Sequence, residues 1–243
     1  MVLARHGERH AVDTKASDLD LVTEVDRASE TLIVERLMAA RSNDGIIGEE
    51  GTGVVGTSGV EWLVDPIDGT TSFYYGLPGF SVSIGARFEG EMVAGAVVAP
   101  AIRDEYTAQK GGGSLLNGRP IACRDTSELG KALVATGFGP DFDRRSRQGA
   151  AFAEIIPKIR DIRRMGSAAL DLCLVASGQV DAFFEVGLSL WDYAAGSLIA
   201  AEAGALTHIE HDSSSDRAFV FSASPGIATE LLALLRARGA DTV

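Results

Sequence analysis

The sequence predicts a mixed α/β fold of stacked layers, and three observations carry that prediction. Short or alternating apolar runs bounded by Gly and Pro fill the middle of the first half, as strands do. After Leu133, helical and strand patterns alternate, the mark of a sheet covered by helices. The 243 residues, 46% hydrophobic and 23% charged, suffice for a substantial core without disulfide or metal staples.

Between Thr23 and Arg41, Val25, Ala28, Leu32, Ile33, Val34 and Leu37 recur at helical spacing, and Thr23 and Asp26 are placed as a capping box. Ile46-Ile47, Trp62 to Val64, Phe80 to Phe88, Met92 to Val98 and Leu133 to Thr136 read as strands. Gly112-Gly113 and Asn117-Gly118 mark turns. Helices are expected over 145–156, 168–177, 191–203 and 228–237, between strands near Ile162 and over 180–186, 206–209 and 219–221. No linker, repeat or low-complexity tract interrupts them.

Thirty-four acidic residues against 22 basic ones give a net charge of −12 and a pI near 4.8. That balance argues against nucleic-acid and membrane-surface partners. It should also repel a phosphorylated metabolite, unless some acids are committed to divalent cations. The mean hydropathy of +0.12, the lack of an apolar run of about 18 residues and the lack of a leader-like N-terminus set the expectation of a cytoplasmic location. Cys123 and Cys173, each in an apolar stretch, fit a reducing compartment and offer no zinc spacing.

Two short motifs mislead. Arg5-His6-Gly7-Glu8 copies the Arg-His-Gly fingerprint of histidine phosphatases, but its strand could be only Met1 to Ala4, and His208 and His211 straddle a strand end and a polar loop. Gly51-Thr-Gly-Val-Val-Gly56 matches a dinucleotide pattern, yet Gly59 and Val60-Glu61-Trp62 follow where a phosphate-capping helix should start, so it reads as a loop.

The informative segment is Trp62-Leu-Val-Asp65-Pro-Ile-Asp68-Gly-Thr-Thr, an apolar strand, stopped by Pro66, that runs into two acids and then Gly69-Thr70-Thr71. Two carboxylates at a strand end can clamp Mg²⁺, and the amides of Gly69, Thr70 and Thr71 at a helix start can face a phosphate. Taken alone, Asp-Pro-x-Asp-Gly also reads as an Asx-type turn. The other acids favour the chemical reading: Gly48-Glu49-Glu50 ends a second strand, and Trp191-Asp192 starts an apolar helix.

These motifs, with Lys110-Gly-Gly-Gly, Arg164-Met-Gly166-Ser-Ala-Ala-Leu-Asp-Leu-Cys and Glu202-Ala-Gly204, follow one another in the order seen in the inositol monophosphatase family of Mg²⁺-dependent, lithium-sensitive phosphatases, which the chain resembles from about Lys15 onward. The resemblance implies an αβαβα five-layered sandwich of the inositol monophosphatase and fructose-bisphosphatase type, one catalytic unit over 1–243 with a metal-site half to about residue 130 and a layered α/β half over 131–243, and a homodimer. It also implies that the chain begins near the end of the relatives' first long helix. Ser72 stands where the family usually has Asn, and Ala205 replaces a Gly.

For the site, the resemblance implies two Mg²⁺ ions, one held by Glu49, Asp65 and the carbonyl of Ile67, the other by Asp65, Asp68 and Asp192, with a weaker third near Glu49. Thr70 would stand beside the attacking water, Asp26 would accept its hydroxyl proton, and Glu49 would orient the water; Asp26 also has its capping role. Substrate contacts fall to Glu49, Ile67, Asp68, Gly69, Thr70 and Asp192, and on the polyol side to Gly166, Ser167, Ala168 and Glu185. Thr71 joins them through its amide, and Lys15 is either a phosphate-side residue or a solvated lysine in a polar turn. Ser167 reads otherwise as an N-cap and Glu185 as a solvated strand end. Trp62 and Trp191 are expected to pack beneath the acids. The implied substrate is a small phosphorylated polyol, myo-inositol monophosphate first, with histidinol phosphate, fructose 1,6-bisphosphate and 3′-phosphoadenosine 5′-phosphate as alternatives. A noncatalytic regulatory binding protein is the reading from another class.

Overall fold

The computed structural model describes residues 1–8, 12–14, 21–139, 141–213 and 215–242; Lys15 lies outside them. A short helix α1 (Val2–Arg5) and an antiparallel ribbon, β1 (Val12–Thr14) and β2 (Leu21–Thr23), precede helix α2 (Glu24–Ala40). The capping box forms as its spacing predicts: Thr23 Oγ1 accepts from the Val25 and Asp26 amides at 3.1 and 3.4 Å, and Asp26 Oδ2 accepts from the Thr23 amide at 2.9 Å. His6 has a packing role: its ring lies 4.8 Å from Phe80 and 5.9 Å from Phe73, between centroids.

β3 (Gly45–Gly48), β4 (Gly53–Val54), β5 (Val60–Asp68), helix α3 (Thr70–Tyr74), β6 (Ser81–Phe88), β7 (Glu91–Ala99), β8 (Asp104–Gln109), β9 (Gly113–Leu116) and β10 (Arg119–Ile121) follow. Their strands form an eight-stranded sheet in the order β10-β9-β8-β7-β6-β5-β3-β4, in which only β3 and β5 are parallel. That parallel pair brings two acid-bearing strand ends to the same edge of the sheet.

The second half comprises β11 (Leu133–Thr136), α4 (Phe142–Ile155), β12 (Asp161–Arg163), α5 (Ala168–Ala176), β13 (Ala182–Leu188), α6 (Leu190–Glu202), β14 (Leu206–His211), β15 (Ala218–Ala223) and α7 (Pro225–Ala237). Its five-stranded sheet runs β12-β11-β13-β15-β14, with β11 parallel to both neighbours. α2 lies on the outer face of the first sheet, α5 and α6 lie between the sheets, and α4 and α7 cover the far face of the second. The order is αβαβα, as the resemblance implies.

The layering explains the helix sequences. Every residue of α5 is buried and α6 is buried along most of its length, so both are apolar nearly all round. α4 buries only Gln148, Ala151, Phe152 and Ile155, the spacing of one stripe. Two motifs distant in sequence also meet here: the Glu202 carboxylate accepts from the amides of Gly111 and Gly113 at 2.8 and 3.0 Å.

Three expectations change. β5 does not stop at Pro66 but continues to Asp68 through a register shift between Asp65 and Asp68, where the missing proline N–H costs no ladder bond. Strands β8, β9 and β10 flank the glycine turns that the sequence shows, and β4 pairs with β3 inside the segment read as a loop. Trp62 does not underlie the acids; its indole N–H donates to Asp44 Oδ2 at 3.0 Å, at the opposite end of the strands.

Candidate active site

Glu49 follows β3, and its amide donates to the Val64 carbonyl at 3.1 Å, so it emerges beside Asp65 on β5. A buried carboxylate fixes this turn: Glu30 accepts from the Glu50 amide at 2.8 Å, the Thr52 amide at 3.1 Å and Thr52 Oγ1 at 2.6 Å. Gly48 is required there, because a Cβ would lie 2.5 Å from Glu30 Oε2. Sequence patterning gave Glu30 no role, since one acid in a helix resembles any solvated one. Glu30→Ala is expected to cost about 2–3 kcal/mol in urea unfolding, as three donors lose a charged acceptor.

The two halves close on one another through glycines. Gly69 has φ +92°, and a Cβ on it would lie 2.8 Å from the carbonyl oxygens of both Gly166 and Gly79. Backbone therefore packs on backbone, which carries the start of α5 to the end of β5. Ser167 caps α5 by accepting from the Leu170 amide at 3.1 Å, and its hydroxyl donates to Asp68 Oδ2 at 2.7 Å. The Ala169 amide donates to the same oxygen at 2.7 Å.

The second sheet adds Glu185, on β13 beside β11, with its carboxylate over Gly137; a Cβ at 137 would lie 2.0 Å from Oε2. Asp192 stands in the first turn of α6, where its Oδ2 accepts from the Ser189 amide at 2.7 Å. Thr70 Oγ1 lies 3.0 Å from Asp26 Oδ1 and 3.1 Å from the Ile67 carbonyl oxygen.

Glu49, Asp65, Asp68 and Asp192 all line one pocket of about 130 Å³, together with Ile67 and Thr70. Gly69, Gly166, Ser167, Ala168 and Glu185 line it too. Of the residues singled out in the sequence, Asp26 reaches the pocket only through Thr70, and Thr71 is exposed away from its lining. Trp191 lines a separate groove with Ile47, Arg87 and Met92. Arg164 and Asp171 line the pocket as well; the stretch from Arg164 to Cys173 holds both, but patterning alone assigned them nothing.

The electrostatics follow from gathering acids in a confined space. Burial, then repulsion from Glu49, Asp68 and Asp192, pushes Asp65 well above the carboxylate range. Burial likewise raises Asp192, with Glu49 and Asp68 adding to it. Burial lifts Asp68 to about 6 against the downward pull of its bonds to Ser167 and Ala169. Burial also raises Asp26, opposed by its bonds to Thr23 and Thr70.

Among the described residues, no three His, Cys, Asp or Glu side chains are drawn together as a finished metal cage. The donor set nevertheless fits a hard divalent cation: carboxylates and one backbone carbonyl, oxygen throughout, with mutual repulsion that a cation would relieve.

Glu185 gives a separate pH signature. Burial raises its carboxyl from an ordinary 4.5 to about 8, although Arg164 lowers it in part. The folded chain holds this proton more tightly than the unfolded chain, so the stabilisation is complete below about pH 4.5 and is lost as the pH rises through about 8. Glu185→Gln is therefore expected to flatten the fall in melting temperature between about pH 5 and pH 8 by a few degrees, read by calorimetry on metal-free protein.

This fold and this acid-lined pocket define a phosphatase-type scaffold, and the comparisons place it. A family model described as the Inositol monophosphatase family matches residues 2–239, and the chain belongs to that family. The inositol-1-monophosphatase SuhB of Mycobacterium tuberculosis is 46% identical over 236 residues, 93% of this chain and 81% of that protein. The solved structure of M. tuberculosis SuhB covers 88% of this chain and 84% of its own, with a TM-score of 0.80. An IMPase from Thermotoga maritima is 32% identical with a TM-score of 0.87, covering 98% of this chain and 92% of its own. The Nus factor SuhB of Pseudomonas aeruginosa is 42% identical over 193 residues, 77% of this chain and 71% of that protein.

Proposed function

We propose that the chain is a Mg²⁺-dependent phosphomonoesterase that hydrolyses myo-inositol monophosphate to myo-inositol and phosphate, with residues 1–243 acting as one catalytic unit. The observation that carries this reading is the convergence of Glu49, Asp65, Asp68 and Asp192 on one pocket beside the Thr70–Asp26 pair. Family membership and the M. tuberculosis relative's name support it.

In this reading Glu49, Asp65, Asp68, Asp192 and the Ile67 carbonyl hold two Mg²⁺ ions, with a third near Glu49. Bound there, the ions would acidify a water and stabilise charge on the leaving oxygen. Thr70 Oγ1, hydrogen-bonded toward Asp26 Oδ1, keeps a lone pair free for the attacking water's proton. Asp26, in its ionised form and made a stronger base by burial, takes the Thr70 proton in turn, and Glu49 orients the water. The backbone at Gly69 and Thr70 faces the phosphate, while Gly166, Ser167, Ala168 and Glu185 face the polyol.

We further propose a cytoplasmic homodimer. No described helix is long and apolar enough to cross a membrane, and light scattering of the purified chain reads the oligomer directly.

The test is phosphate release from inositol 1-phosphate, histidinol phosphate, fructose 1,6-bisphosphate and 3′-phosphoadenosine 5′-phosphate, with and without Mg²⁺, followed by Li⁺ on the best substrate. Inositol 1-phosphate is expected to lead, with inhibition by Li⁺. The name of the Pseudomonas relative favours one second reading, a regulatory binding role. Silence across all four substrates would support it.

A further inference from the structure

One wall of the pocket has no task in that chemistry. Six acids line the pocket, and among the described lining residues Arg164 is the only basic one. Its guanidinium makes no hydrogen bond or salt bridge with a described residue. It lies over the start of α5: a Cβ on Gly166 would be 3.0 Å from Arg164 Nη1. Beside it in the pocket wall is Asp171, 1% exposed, whose Oδ1 is buried without a partner. Burial, then Glu185 and Asp68, push Asp171 well above the carboxylate range; Arg164 opposes that push, and it lowers Glu185 as well. A buried carboxyl oxygen without a partner costs stability, and the exposed Arg164 guanidinium keeps its donors free for a ligand entering the pocket.

We infer that Arg164 is a specificity-determining residue: standing over Gly166 in the wall of the pocket, it donates to hydroxyl oxygens of the leaving polyol beside the Glu185 acceptor. This rests on the phosphatase reading above and adds the group that reads the leaving alcohol. A guanidinium offers only donors, and the Glu185 carboxyl keeps an acceptor oxygen whether or not it carries its proton, whereas each hydroxyl both donates and accepts. Adjacent hydroxyls on one ring can therefore satisfy Arg164 and Glu185 together. An alkyl alcohol satisfies neither, and a dianionic second phosphate satisfies Arg164 while facing Glu185. The substrate class that fits is the monophosphate of a polyol with hydroxyls flanking the ester. Asp171 is a positioning residue, acting through Arg164.

The test compares inositol 1-phosphate with cyclohexyl phosphate, the same ring stripped of its hydroxyls, under saturating Mg²⁺. Where cyclohexyl phosphate turns over slowly, its binding is read by competition. Arg164→Ala is expected to lower kcat/KM for inositol 1-phosphate about 10- to 100-fold, mainly through KM, as a charged hydrogen bond is lost. The same variant should change cyclohexyl phosphate by less than about 2-fold, which also shows that the fold and the reacting centre survive. Asp171→Asn should give a smaller loss of the same selectivity. Equal losses on both compounds, or no loss on either, would overturn the role of Arg164 and leave the phosphatase standing. Failure of the wild-type chain to release phosphate from either compound would overturn the phosphatase reading and this inference with it.

Discussion

Asp65→Asn is expected to lower Mg²⁺-dependent phosphate release by roughly 10³-fold or more, beyond the 10- to 100-fold typical of residues that only support a metal ligand. Asp65 is 2% exposed and is pushed toward its neutral form by burial and by Glu49, Asp68 and Asp192. In the proposed site it is the one side chain shared by both ions, so its loss weakens both. A merely structural carboxylate behaves differently. Neutralising Asp65 removes a repelled buried charge, so the metal-free variant should melt no lower than the wild type near pH 8. Lost turnover with retained stability is the signature sought by paired rate and calorimetric measurements; a variant that keeps its turnover excludes Asp65 as a shared ligand.

Thr70→Val is expected to lower kcat by roughly 10²- to 10³-fold with little change in KM, because it keeps the volume and removes the hydroxyl that contacts Asp26 and the Ile67 carbonyl. Thr70→Ser should stay within about 10-fold of the wild type, since the proton path is intact. Asp26→Asn should resemble Thr70→Val, and the double variant should lose little more than either single one, because both changes break the same path. Single-turnover phosphate release measures this. Fully additive losses would show that Thr70 and Asp26 act independently.

Much of the fold was legible because its strongest signals are local. Thr23 and Asp26 announce α2 through a capping box that forms as spaced. The apolar runs of α5 and α6 announce helices buried on all sides, and the structure places them between two sheets. What escaped depends on pairing across distance. Asp104 to Gln109 alternates like a strand but carries two acids, and it becomes β8 only because β7 and β9 bind its two edges. Pro66 reads as a strand stop; whether it ends β5 or rides in a bulge is decided by β6.

The pocket shows the same division. Glu49, Asp65, Asp68 and Asp192 stand out because acids at the ends of apolar elements are costly unless they are used. Glu30 and Asp171 were silent because each lies on a helix, where acids are ordinary, and only the fold shows them buried. Trp62 was misplaced because its partner, Asp44, is set by the parallel pairing of β3 with β5.

The net charge of −12 does not disfavour an anionic substrate, since Glu49, Asp65, Asp68 and Asp192, four of the 34 acids, converge on one pocket where two divalent cations would offset their charge. The most direct test is phosphate release from inositol 1-phosphate by metal-stripped protein titrated with Mg²⁺. The account predicts no release from the stripped protein and saturable recovery as Mg²⁺ is added; full release without metal, or none at saturating Mg²⁺, would contradict it.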